Sequence, residues 1–90
     1  MSVKIHIRPG MEQLAHGQGV VEVKGKTVGE CLKQLVKMFP EMKSGLFAEN
    51  GKLLDYIDIF VNGKSSYPEE LNKVVKDGDE LYILRVLGGG

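Results

Sequence analysis

The sequence predicts an α+β roll: one helix laid over one face of a mixed four- or five-stranded sheet. Three observations predict it. The apolar period is two at the start of the chain, shifts to a helical period over a single segment, and returns to two in the second half. Turn dipeptides such as Asn62-Gly63 and Asp77-Gly78 divide the second half into short pieces. Only one stretch sustains an amphipathic helical face over three turns.

The elements follow in order. In "VKIHI", residues 3–7, Val3, Ile5 and Ile7 share one face and Lys4, His6 and Arg8 the other, the pattern of a half-buried strand. "RPG" ends it, and residues 11–19 read as a loop. "VVEVK", Val20–Lys24, is a second strand, and the short connection predicts an antiparallel hairpin. Then Val28, Leu32, Leu35, Val36 and Phe39 fall on one side of a helix over 28–39. Thr27 is its N-cap, Glu30 completes a capping box, and Pro40 stops it.

Residues 41–54 are less regular, with one short helical turn in "MKSGLF" and a reverse turn at "ENGK". "YIDIFV" is a third strand with Ile57, Ile59 and Val61 on one face. Asn62-Gly63 turns it into a short edge strand at "KSSY". A helical turn opened by Pro68 and the tight turn "KDGD" lead to a last strand over 80–86. The predicted core is Ile5, Ile7, Val21, Val23, Leu32, Leu35, Phe39, Ile59, Leu81 and Ile83.

Bulk properties narrow the function. Ninety residues with 42% apolar content make one folded domain. A formal net charge of zero argues against a nucleic-acid binder, which needs a basic surface. The single cysteine, Cys31, excludes an intrachain disulfide and a four-cysteine metal site. "MSVKIHIRPG" has no signal-peptide core, and no apolar run approaches the ~20 residues of a membrane span. No membrane partner and a cytoplasmic location are expected.

Few residues invite a catalytic reading. His6 and His16 lack metal-ligand spacing, so no metal site is expected. "GQG" at 17–19 is too short for a dinucleotide fingerprint, and "DGD" is a turn rather than a calcium loop. Cys31 lies in the first helical turn, where a thiol is activated, yet beside the buried face; a small core residue fits better than a sulfur donor. No nucleophile–base–orienter set is present.

The β-β-α-β order, "IFVNG" at 59–63, "DGDELYIL" at 77–84 and the terminal "GGG" together resemble the ubiquitin-like β-grasp sulfur carriers. That family includes the small subunit of molybdopterin synthase, the thiamine sulfur carrier and the carriers of a cysteine-forming pathway. The resemblance covers nearly the whole chain: a β-grasp domain over 1–86 and a flexible glycine tail over 87–90. It implies a central last strand parallel to the first. It also implies that Gly90 is the reactive residue, adenylated by an E1-like enzyme with ATP and then converted to a thiocarboxylate. No tightly bound cofactor and no catalytic activity of its own are implied. The expected partners are that E1-like enzyme and a sulfur-accepting synthase subunit or enzyme, with the free carrier a monomer. Family tails end in two glycines and this one in three; either Gly88 lengthens the tail, which is simpler, or Gly90 is removed. The stretch "FAENGKLLDYIDIFVNG" looks more like the cysteine or homocysteine carriers and archaeal-type molybdopterin subunits than the shorter thiamine carriers.

The residue types suit that role. Glycine has no Cβ, so Gly88 and Gly89 can thread a channel that larger residues would block. Four extended residues reach roughly 13–14 Å beyond the sheet. Ordering them costs on the order of 4–8 kcal/mol, so the domain needs a docking surface of its own. Strand alternation offers one: Tyr56, Phe60, Tyr82 and Leu84 face away from the helix, rimmed by Lys4, His6 and Arg8, with Arg85 beside the tail. The alternative is that residues 41–54 fold over this face. A second functional reading is a ubiquitin-like modifier joined to lysines through Gly90, which uses the same adenylate.

Overall fold

The computed structural model describes residues 2–86. The expected tail residues Gly88, Gly89 and Gly90, with Leu87, lie outside them. Strands β1 (Ser2–His6) and β2 (Val20–Lys24) precede helix α1 (Val28–Met38) and a short helix α2 (Met42–Leu46). Strands β3 (Ile57–Val61), β4 (Lys64–Ser65) and β5 (Glu80–Arg85) complete the fold. The sheet order is β2-β1-β5-β3-β4. β1 and β5 run parallel at its centre, and the other pairs are antiparallel.

The α1 boundary follows from its cap. Thr27 Oγ1 accepts from the Glu30 amide at 3.1 Å, and Glu30 Oε1 accepts from the Lys26 amide at 2.9 Å. The reciprocal contact thus reaches one residue further back than in the standard capping box. Removing the first of these contacts, Thr27→Ala, is expected to cost about 0.5–2 kcal/mol, read as a lower denaturant midpoint at unchanged m-value.

Every residue of the predicted core is buried. Two segments add more than the sequence reading anticipated. The 11–19 connection contains a 3₁₀ turn (Glu12–Ala15) that buries Met11 and Ala15. In residues 41–54, Met42, Leu46 and Leu53 join the core, and α2 packs on α1. Residues 41–54 therefore close the helix side of the roll. Gly25 is required by a close approach: a Cβ there would meet the Cys31 amide nitrogen at 2.8 Å and its Sγ at 2.9 Å. The predicted turn after Pro68 is a 3₁₀ segment, Glu70–Asn72.

The turns at 62–63 and 77–79 lock together. Asn62 adopts φ +50° and Gly63 φ +90°, a left-handed pair that reverses the chain. The Asn62 amide group donates to Asp79 Oδ1 at 2.9 Å, and its Oδ1 accepts from the Glu80 amide at 2.9 Å. Asp79 Oδ2 also accepts from the Lys76 amide at 2.7 Å. The Asn62 hydrogen bond, then that of Lys76, holds the Asp79 carboxyl below its ordinary pKa. This clamp fixes where β5 begins.

Candidate functional site

β5 is the central strand and leads directly to the tail. Its last described neighbour, Val86, donates its amide to the Tyr56 carbonyl at 2.8 Å. The root of the tail is thereby tied to the chain entering β3. Inward-facing Leu81 and Ile83 are fully buried against the helix layer. Pleating then puts Tyr82 and Leu84 on the opposite face.

That face carries one continuous row. Register aligns Val20, His6, Tyr82, Phe60 and Ser65 across all five strands. The His6 ring stacks on Tyr82 with centroids 4.1 Å apart and planes within 7°. His6 Nε2 meets Glu80 Oε1 at 2.6 Å. One rung along, Lys4 stands opposite both Glu22 and Glu80. On the tail side, Leu84 is 37% exposed and Tyr56 40%. The Arg85 guanidinium lies over the Tyr56 ring, 4.9 Å from its centroid.

The structure thus gathers Phe60, Tyr82 and Leu84 on the open face, with Tyr56 and Arg85 stacked at its tail end. From residues 41–54, Met42, Leu46 and Leu53 enter the buried core, while Tyr56 and Leu84 stay exposed. The sequence reading missed Asp58. Alternation from Tyr56 to Phe60 places it on the same face, opposite Leu84, so the patch holds a carboxylate at its middle. It also missed the His6–Glu80 pair, which depends on the parallel register of β1 and β5.

Cys31 is fully buried. Burial, with Glu30 and then Asp79 adding, pushes its thiol from 9.0 up to about 11. Such a thiol is inert near neutrality. Native Cys31 is expected to resist a thiol reagent until the protein unfolds. A raised folded pKa also means that the unfolded state loses its proton first. Its contribution to stability is intact below pH 9 and declines as pH rises through about 11. Cys31→Ala should flatten that alkaline decline in thermal melts.

Among the described residues, no group of three or more His, Cys, Asp or Glu side chains could hold a metal ion, and no helix is long and apolar enough to cross a membrane. A roll with one main helix, whose central strand leads into a glycine-rich segment, is the architecture of a small ubiquitin-like carrier. The ThiS family profile matches residues 11–90, and the chain belongs to that family of sulfur carriers, which are not catalysts. Small archaeal modifier protein 1 of Haloferax volcanii is 35% identical over 71 residues, 78% of each chain. The crystal structure of that protein aligns over the full length of both chains with a TM-score of 0.85. A protein of Archaeoglobus fulgidus, provisionally named a sulfur carrier, is 28% identical over the full length of both. CysO in the Amycolatopsis orientalis BexX/CysO complex is 32% identical, with a TM-score of 0.86 over 98% of this chain and 99% of that one. These neighbours share the ubiquitin-like β-grasp fold.

Proposed function

We propose that the chain carries sulfur as a thiocarboxylate on Gly90. The carboxylate is a poor electrophile, since its charge repels nucleophiles and its oxygen leaves badly. Attack of that carboxylate on the α-phosphorus of ATP, in an E1-like enzyme, releases pyrophosphate and gives an acyl-adenylate. Sulfide-level sulfur from a donor then displaces AMP, the thiocarboxylate sulfur bonds to the acceptor, and water cleaves the acyl–sulfur bond to return the carboxylate and leave the sulfur on the acceptor. Gly88 and Gly89 thread the tail into the enzyme. Tyr56, Phe60, Tyr82, Leu84 and Arg85 form the surface by which the domain docks. The acceptor belongs to molybdopterin assembly or to cysteine or homocysteine synthesis.

The observation that carries this reading is the position of β5, buried at the sheet centre and tied at both ends, with the tail as its continuation. Formation of the thiocarboxylate is tested by incubating the protein with ATP, sulfide and an E1-like enzyme. The readout is intact mass together with thiol-specific labelling of the C-terminal peptide. Phe60→Asp is expected to lower kcat/KM for adenylation on the order of tenfold or more while the fold persists. An unchanged rate removes this face from docking.

A second reading is conjugation of Gly90 to lysines. The relative named a modifier protein, 35% identical, favours keeping it. Protein adducts that survive thiol reductants would support conjugation; sulfur delivered to a small molecule would support carriage.

A further inference from the structure

Phe60, Tyr82 and Leu84 form an apolar patch on the open face, and the carboxylate among them is poorly served. Asp58 Oδ2 accepts from Ser65 Oγ at 2.6 Å, while Oδ1 is buried and meets no donor. Among the described residues no cation pairs with Asp58. Where β4 ends, the exposed flank of β3 opens a cleft of about 410 Å³. Asp58 lines it together with Leu54, Asp55, Tyr67, Glu70 and Val86. Three carboxylates there face a single ammonium, that of Lys52. The cleft is continuous with the docking face through Asp58 and with the tail through Val86.

We propose that the enzyme acting on the tail seats an arginine side chain in this cleft, its guanidinium paired with Asp58, while an apolar side chain of the same surface meets Phe60, Tyr82 and Leu84. This rests on the docking role given above to that face. The charge balance of the cleft selects a cation. Its apolar walls select the weakly hydrated, planar guanidinium over an ammonium, and the fork of the guanidinium matches a carboxylate. Tyr67, 73% exposed at the cleft's edge, offers a ring for the guanidinium to stack on. The terminal torsion of an Asp side chain is broad, so either Asp58 oxygen can turn toward the cleft. Turning the carboxylate out brings its unserved oxygen, buried in the free protein, to the guanidinium.

The test titrates the full chain with N-acetyl-arginine amide and follows backbone amide NMR shifts. The isosteric, uncharged N-acetyl-citrulline amide is the control. Expected are saturable shifts confined to Leu54, Asp58, Tyr67, Glu70 and Val86 with arginine, and none with citrulline. Asp58→Asn, which keeps the shape, should weaken the arginine response on the order of tenfold, in line with a lost hydrogen bond to a charged group. Glu70→Gln provides a second variant should Asp58→Asn perturb the fold. Equal responses to the two amides, or an arginine response that neither substitution weakens, overturn the proposal. With the adenylating enzyme, Asp58→Asn should raise KM for the carrier with little change in kcat; an unchanged KM also overturns it. The titration contains no ATP, enzyme or sulfur donor. Its failure leaves the chemistry at Gly90 standing, and failure of that chemistry leaves the titration result standing.

Discussion

A chain lacking Gly89 and Gly90 is expected to melt like the full protein and to give no ATP-dependent product. The two halves of this result have separate causes. Among the described residues the buried core lies within 3–83, and the two deleted glycines have no side chains to add to it. The chemistry, by contrast, needs a carboxylate at a set reach. Losing two extended residues withdraws that group by roughly 6–7 Å. Groups that react within an enzyme must approach to about 3–3.5 Å, and a misplacement of even 1 Å can cost about a hundredfold. The loss should therefore be complete within detection. Thermal melts and thiol-specific labelling after reaction with ATP and sulfide check the two halves. A truncated chain that still acquires a C-terminal thiol would end the proposed role of Gly90.

Ile83→Ala is expected to be the most damaging single core change. Ile83 is fully buried on β5 and pairs with Ile59, also fully buried, on β3. Truncation of such a residue typically costs about 2–5 kcal/mol, the spread reflecting how far the cavity collapses. A domain of this size has on the order of 5–15 kcal/mol in total. At about 4–8 °C per kcal/mol the melting temperature should fall by roughly 8–40 °C. Where the variant stays folded, docking should be affected far less than stability, because the substituted side chain points away from Tyr82 and Leu84. Thermal melts alongside adenylation assays at low temperature separate the two. A fall of only a few degrees would show that Ile83 is less tightly packed than its burial implies.

Much of the fold is legible in sequence because its signals are local. The helical period between Val28 and Phe39, the Thr27–Glu30 cap and the Asn62-Gly63 reversal each act within a few residues. Two-residue alternation likewise separates Ile57 and Ile59 from Tyr56 and Phe60. Contributions that depend on distant packing are harder to read. Met11 and Ala15 bury from a segment with two glycines and no period, and Met42, Leu46 and Leu53 do so from an irregular stretch. Their burial is decided by the surface that α1 and the sheet present to them.

The candidate site divides in the same way. The open-face residues follow from strand parity alone, and parity equally marks Asp58, which the sequence reading left out. The contact of His6 with Glu80 and Tyr82 requires the register of two strands 74 positions apart in sequence, which no local pattern encodes. The resemblance to sulfur carriers supplied the parallel pairing of those strands but not the side-chain contacts it creates. The motifs quoted for that resemblance, "VNG" and "DGD", prove to be the two sides of one clamp, joined through Asn62 and Asp79.

That clamp has a mechanical meaning for the carrier. With its start pinned at Asn62 and its end at Tyr56, the last strand cannot slide along its neighbours, since a slip of one position would turn Leu81 and Ile83 out to solvent. The stalk is therefore measured from a fixed zero. On the proposed role of Gly90, an extra residue inserted after Val86 would carry the terminal carboxylate about 3.3–3.6 Å too far, with no slack in the domain to absorb the error.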